Sequence, residues 1–94
     1  MNEVEQRAFA TIEALLLQMV EHQEQKVAAF ARRLRPRLTA DDLKNPHDFD
    51  ELNDPDFNYE DGHLAGLHAA VSALRRAVRD HHETHAGGPN DSQR

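Results

Sequence analysis

The chain has no cysteine and no tryptophan among its 94 residues. It can therefore form no disulfide, no thiolate metal site and no cysteine nucleophile, a composition typical of proteins in the reducing cytoplasm. Long hydrophobic runs are also missing, because neither residues 14–17 nor any other run approaches the roughly 20 apolar residues of a membrane-spanning helix. The first residues, Met-Asn-Glu-Val-Glu, are acidic where a secretory signal is basic. We therefore expect a cytoplasmic protein that has no membrane partner.

Basic residues are few as well. Lysine and arginine number 11, against 17 aspartate and glutamate residues, which gives a formal net charge of -6 at pH 7. Because phosphate binding relies on clustered lysine and arginine, this balance opposes nucleic acid as a general partner. At this length we expect one small domain, in which a lone monomer has little core. A basic cluster precedes an acidic segment and is interpreted as neutralising it; it consists of Arg32, Arg33, Arg35 and Arg37.

Glycine and proline are absent from residues 2–35, where good helix formers dominate. Asn2 is predicted to cap a helix there and Pro36 to stop it, so the first helix should span about residues 2–35. Its apolar side chains recur every three or four residues, which places them on one face. They are Phe9, Ile12, Leu16, Met19, Val20, Val27, Phe30 and Leu34.

A second helix is predicted for about residues 59–86, with the same apolar spacing. Its stripe consists of Leu64, Leu67, Val71, Leu74, Val78, His81 and His85. The connector between the helices, residues 36–58, contains Asn45-Pro46 and Asp54-Pro55, which are interpreted as turns. Residues 87–94 are small and polar and are predicted to be a disordered tail. The fold class is therefore all-α, an antiparallel helical hairpin of residues 1–86 with a partly ordered acidic connector.

The antiparallel pairing predicts which residues face one another. Phe30 should lie near Leu64, and Phe9 should lie near His85. The same pairing directs Glu13, Glu21 and Glu24 towards the side of the second helix that carries Arg75, Arg76 and Arg79.

The first helix holds more apolar surface than one partner stripe can cover, because Leu15 and Leu17 point away from Leu16. The second helix carries a stripe of small residues along which another helix could approach. We therefore expect a homodimer that forms a four-helix bundle. A monomer whose connector covers the spare face, or a different protein partner, are the alternatives. The candidate dimer interface consists of Leu15, Leu17, Gly66, Ala70, Ala73 and Ala77.

No glycine-rich phosphate loop and no credible Ser-His-Asp arrangement occurs, so we expect no enzyme and no cofactor. The leading hypothesis is a small interaction or regulatory module that acts as a homodimer and docks an unknown protein partner through the connector. Apolar side chains with a charged rim are typical of such surfaces. The same apolar residues could instead cap the bundle, and the sequence leaves this open. The candidate docking residues are Phe49, Leu52, Phe57, Tyr59, Asp48, Asp50, Asp54 and Asp56.

Two histidine patterns support an alternative function, a metal-binding or ferritin-like bundle. His81 and His85 stand one helical turn apart, and Glu60 and His63 have the Glu-x-x-His spacing of di-iron bundles. Two imidazoles make a weak site, and the predicted pairing places Arg32, Arg33 and Leu34 opposite Glu60. We favour the simpler interpretation that the histidines are solvated and that Glu60 serves the start of its helix.

Overall fold

The computed structural model describes residues 1–86, with side chains for residues 1–82, and contains two long helices joined by a folded connector. Helix α1 spans Glu3–Leu34 and helix α2 spans Pro55–Ala86. They pack against each other in a hairpin that measures 57 × 27 × 21 Å. The described residues form no strand, so the predicted all-α hairpin is confirmed. The predicted disordered tail, residues 87–94, lies outside the described residues.

Helix α1 begins and ends where its local signals predict. The Asn2 side chain accepts a hydrogen bond from the Glu5 N–H at 2.8 Å, and the Glu5 carboxylate accepts one from the Asn2 N–H at 3.1 Å. This reciprocal pair is a capping box, which satisfies two N–H groups that a helix start otherwise leaves without partners. Pro36 follows the last turn and prevents the helix from continuing.

Helix α2 begins at Pro55, earlier than the predicted residue 59. The interpretation of Asp54-Pro55 as a turn is wrong, because Asp54 is the helix cap and its side chain accepts a hydrogen bond from the Phe57 N–H at 3.0 Å. Proline is favoured at the first helical position, since its missing N–H would have no partner there. The connector therefore comprises only residues 35–54, and both Phe57 and Tyr59 belong to α2.

The pairing of the helices differs from the predicted one. The ring of Phe9 lies 6.5 Å from that of His81, whereas its predicted neighbour is His85, one turn further along α2. The buried Gln23 side chain donates to the main-chain oxygen of Glu60 at 2.9 Å and to its carboxylate at 2.8 Å. The earlier start of α2 explains the shift, because a shorter connector changes which turns of the helices lie side by side.

One expected ion pair across the helices forms. The Arg75 guanidinium contacts the Glu13 carboxylate at 2.7 Å. Glu21 and Glu24, predicted to face the same arginines, take part in none of the described ion pairs.

The core lies at the connector end of the hairpin. Its buried side chains are Val27, Ala31, Leu38, Leu52 and Phe57, and Phe30, Leu34, Leu43, Phe49 and Leu64 pack against it. Thr39 and Asp42 cap each other's backbone at 3.2 and 3.1 Å, and three single 3₁₀ turns follow, Asp42–Lys44, Pro46–Asp48 and Asp50–Leu52. The connector is therefore folded over this end.

Towards the opposite end, where α1 begins, burial declines. No side chain of residues 1–19 is buried, and Val20 and Val71 are the last buried residues in that direction. We call this end, residues 1–19 of α1 with the part of α2 beside them, the free end.

Candidate interaction surfaces

The structure places the apolar centre of the predicted docking surface inside the molecule. Leu52 and Phe57 are 2% and 1% exposed, so neither is available to a partner. Phe49 is half-buried beneath the guanidinium of Arg35, which lies 4.5 Å from the centre of its ring. Arg35 also binds Glu51 at 2.9 Å. These contacts place Leu52, Phe57 and Phe49 in the cap of the hairpin, one of the two roles that the sequence leaves open.

The remaining predicted docking residues do not form one patch. Tyr59 is 72% exposed on α2, while Asp54 is half-buried at the helix cap. Asp50 lines a hollow of about 390 Å³ with Phe49, whereas Asp48 and Asp56 are exposed outside it. What remains on the surface is a set of four exposed side chains, Asp48, Asp50, Asp56 and Tyr59, which we call the exposed docking residues.

One member of the arginine cluster, Arg35, contacts the acidic connector as predicted. The pKa of Glu51 is held below its ordinary value by its own backbone N–H and then by the Arg35 side chain. Arg33 lies 4.1 Å above the ring of Phe30, so its charge also covers an apolar side chain. Arg35, next to the end of α1, thus contacts one carboxylate and one aromatic ring of the connector, whereas the contact between Arg33 and Phe30 lies within α1.

Glu60 takes part in the packing between the helices and does not face Arg32, Arg33 and Leu34 as predicted. Its carboxylate accepts from Gln23 and lies 3.3 Å from the Lys26 ammonium. The pKa of Glu60 is therefore lowered, first by the Gln23 amide and then by Lys26. The prediction that Glu60 serves the start of its helix is wrong, because α2 begins at Pro55. Glu60 serves the pairing of the helices, a role for which neighbouring sequence gave no signal.

The histidines predicted as possible metal ligands lie apart. His63 is exposed in the middle of the hairpin, whereas His81 is at the free end, 3.3 Å from the Glu5 carboxylate. The pKa of Glu5 is lowered, first by the Asn2 N–H and also by His81. The side chain of His85 lies outside the described residues. Within the part of the chain that is described, no three His, Asp or Glu side chains are grouped to hold a metal ion.

An uncharged band crosses the hairpin on the free-end side of its middle, and we define it as residues 12–20 of α1 and 67–74 of α2. With histidine neutral, its only charged residue is Glu13, although 30% of the whole chain is charged. Glu13 is itself paired with Arg75. The two segments lie side by side, since Met19 and Leu67 line the same hollow of about 250 Å³. The band is therefore a continuous surface without a free charge.

Large apolar side chains are exposed on one side of this band. Ile12, Leu15 and Met19 are 46%, 57% and 42% exposed. Ile12 and Met19 are part of the predicted buried stripe, but the buried face of α1 runs instead through Val20, Gln23, Val27 and Ala31. We call the side that carries Ile12, Leu15 and Met19 the Leu15 face.

Leu15 and Leu17, both predicted to belong to one dimer interface, project from different sides of α1. Residues two positions apart project about 200° from one another on a helix. Leu15 opens onto the hollow beside Leu67, and Leu17, also exposed, projects from nearly the opposite side of α1. A single flat interface can include only one of them.

The predicted stripe of small residues borders the Leu15 face. Gly66, Ala70, Ala73 and Ala77 are all exposed, and Gly66 and Ala70 flank Leu67. A Cβ atom added to Gly66 would meet no heavy atom within 4 Å. Glycine within a helix costs roughly 0.5–1 kcal/mol relative to alanine, and no close contact among the described residues accounts for a glycine at this position.

Sequence reasoning missed one groove, of about 830 Å³, on the other side of the hairpin. Val27, Ala28, Leu43 and Leu64 line it, with charges of both signs at its margins. No periodic signal marks it, because it forms where the folded connector meets both helices.

Comparisons with known proteins identify no relative: no family model, no curated protein and no solved structure matches the chain. In the residues that the structure describes, neither helix combines the length and the apolar character required to cross a membrane.

Proposed function

We propose that the chain is a non-enzymatic interaction module that acts as a homodimer, in which two hairpins join through their Leu15 faces into a four-helix bundle. The observation that supports this most directly is the exposure of Ile12, Leu15 and Met19 within the uncharged band. Exposed apolar surface that is contiguous and rimmed by polar residues is typical of protein interfaces.

A second copy suits this face because it offers the same absence of charge. A charged partner surface would lose its hydration against Leu15 without gaining an ion pair. Complete burial of a leucine side chain contributes roughly 1.5–3 kcal/mol, so three side chains covered in each copy provide a substantial driving force. The small residues beside Leu67 permit the backbones to approach closely.

The experiment is native mass spectrometry of the untagged protein and of two matched variants, Leu15→Lys and Leu17→Lys. We expect a dimer for the parent chain and for Leu17→Lys, and a monomer for Leu15→Lys. Circular dichroism of each variant checks that the helices remain. We expect them to remain because both leucines are exposed in the single chain.

A monomeric parent chain at micromolar concentration would exclude the proposal. If Leu17→Lys is monomeric and Leu15→Lys remains dimeric, the interface lies on the other side of α1. Stoichiometric metal in the parent spectrum would favour the metal-binding alternative, which no described contact supports.

The exposed docking residues are proposed to bind a basic protein partner. Nine acidic residues stand against Lys44 alone between positions 41 and 61, and Asp48, Asp50 and Asp56 among them are exposed. The variant with all three changed to Asn should lose binding to an arginine-rich peptide in fluorescence anisotropy. A variant with Glu3, Glu21 and Glu24 changed to Gln removes equal charge elsewhere and should retain it. If both triple variants lose peptide binding equally, the peptide is attracted only by the net negative charge of the chain.

We place this module in the cytoplasm, as the sequence predicts. A fluorescent fusion observed in intact cells, with exclusion from membranes and secreted fractions, is the corresponding measurement.

A further inference from the structure

We infer that the two copies lie parallel, with their connectors at the same end, so that α1 of each hairpin packs on α2 of the other. This arrangement rests on the proposed homodimer and adds the orientation of the partner. A two-fold axis along the hairpin produces it. The alternative axis, across the hairpin, would place α1 on α1 and α2 on α2, with the connectors at opposite ends.

The first support is the distribution of large and small side chains. On the Leu15 face, α1 carries the bulky, exposed Ile12, Leu15 and Met19, while α2 exposes the small residues Gly66 and Ala70 beside the half-buried Leu67. Helices pack best when large side chains of one face small side chains of the other. Only the parallel arrangement places the bulky stripe on the small one.

The second support is that these stripes lie at the same height along the hairpin. The Glu13–Arg75 ion pair and the hollow shared by Met19 and Leu67 place residues 13–19 of α1 beside residues 67–75 of α2. Rotation about the long axis preserves height. Leu15 of one copy then meets the surface around Ala70 of the other without any sliding of the two hairpins.

Cysteine cross-linking tests the orientation, since the chain has no native cysteine. The single variants Ala8→Cys, His22→Cys and His63→Cys are prepared, mixed in pairs and treated with a short bis-maleimide. All three positions are exposed, and His22 and His63 line the same hollow. In the parallel dimer, His22→Cys should cross-link with His63→Cys and not with Ala8→Cys. The latter pair lies about 21 Å apart along the axis, from 14 residues of 1.5 Å rise.

The opposite result, cross-linking of His22→Cys with Ala8→Cys alone, would overturn the parallel orientation while leaving the homodimer intact. A dimer in native mass spectrometry that cross-links in neither mixture would show that another face is used. A monomer in that spectrum would exclude the homodimer itself, so the two failures are distinguishable.

A size exchange provides a second test. Ala70→Leu alone should weaken dimerisation about tenfold or more, because it adds bulk opposite Leu15. Adding Leu15→Ala should restore the dissociation constant to within about threefold, since each large side chain again meets a small one. If the double variant is weaker than both single variants, Leu15 and Ala70 do not face one another across the interface.

Discussion

Gln23 is the one buried polar side chain in the described part of the chain, and Glu60 satisfies its amide twice. An amide buried without a partner costs about 1–3 kcal/mol. A slip of α2 by one turn would separate Gln23 from Glu60, so this contact selects one alignment. The sequence could not reveal it, because apolar stripes match again after every turn, and a polar pair 37 residues apart leaves no local signal.

Acid should weaken the contact made by Glu60. Its pKa is lower in the folded chain than the ordinary value of 4.5, so the stabilisation is complete above that value and is lost as the pH falls through the folded-state pKa. Glu60→Gln should reduce the urea midpoint at pH 7, and the difference from the parent chain should shrink between about pH 5 and pH 3. Urea titrations at these pH values provide the measurement.

Glu24→Gln is the matched control for net charge. Glu24 is exposed on α1 and takes part in no described ion pair, so its midpoints should follow those of the parent chain. If the urea midpoint of Glu60→Gln differs from that of the parent chain by the same amount at all pH values, the carboxylate charge is not what stabilises the contact.

Phe57 and Tyr59 lie two residues apart on α2 but in opposite environments, 1% and 72% exposed. Phe57→Ala should reduce the free energy of unfolding by about 3–5 kcal/mol, the cost of a cavity left by a buried ring. Tyr59→Ala should change it by less than about 0.5 kcal/mol. Urea denaturation followed by circular dichroism measures both, and similar losses in the two variants would contradict the capping role of Phe57.

At the scale of elements, the helix ends show where sequence signals are sufficient. The limits of α1 follow from residues within it or next to it, Asn2, Glu5 and Pro36, and the structure agrees. Asp54-Pro55 is ambiguous, because the same two residues suit a turn and the first positions of a helix. Packing decides between them: a helix that starts at Pro55 directs Phe57 into the core.

Asp54→Ala tests that assignment. Loss of the side-chain bond to the Phe57 N–H should cost about 0.5–2 kcal/mol, whereas Asp54→Asn, which retains an acceptor, should cost little. Asp56→Ala removes the same charge two residues further along, at an exposed position in the first turn of α2. If Asp54→Ala and Asp56→Ala destabilise the chain equally in urea, the cap contributes nothing beyond its charge.

At the scale of the whole molecule, the hairpin follows from the sequence more completely than its surfaces do. Two periodic stripes suffice to predict two packed helices. Whether Phe49 and Leu52 are buried or exposed depends on how the connector folds, and no local sequence pattern determines that. The Leu15 face was visible in part, because exposed leucines and small residues can be placed on a helix. Leu17 projects about 200° from Leu15 on the helix, so the two leucines lie on different sides of α1.

The proposed homodimer predicts that thermal stability depends on protein concentration. Association that requires folded chains raises the apparent melting temperature as concentration increases. The parent chain should therefore melt several degrees higher after a hundredfold increase in concentration, while Leu15→Lys should not shift. Scanning calorimetry and circular dichroism cover the two ends of this range. A concentration-independent melt of the parent chain would contradict association in the folded state.

The uneven burial along the hairpin has a further consequence. The connector end has its own core, but no side chain of residues 1–19 is buried within a single copy. In an isolated chain, amide hydrogens of these residues should exchange with solvent well before those around Ala31. Docking of a second copy would slow that exchange, so helix formation at the free end and assembly would be one coupled event. The fraction of residues 1–19 that is helical would then increase with the concentration of the chain.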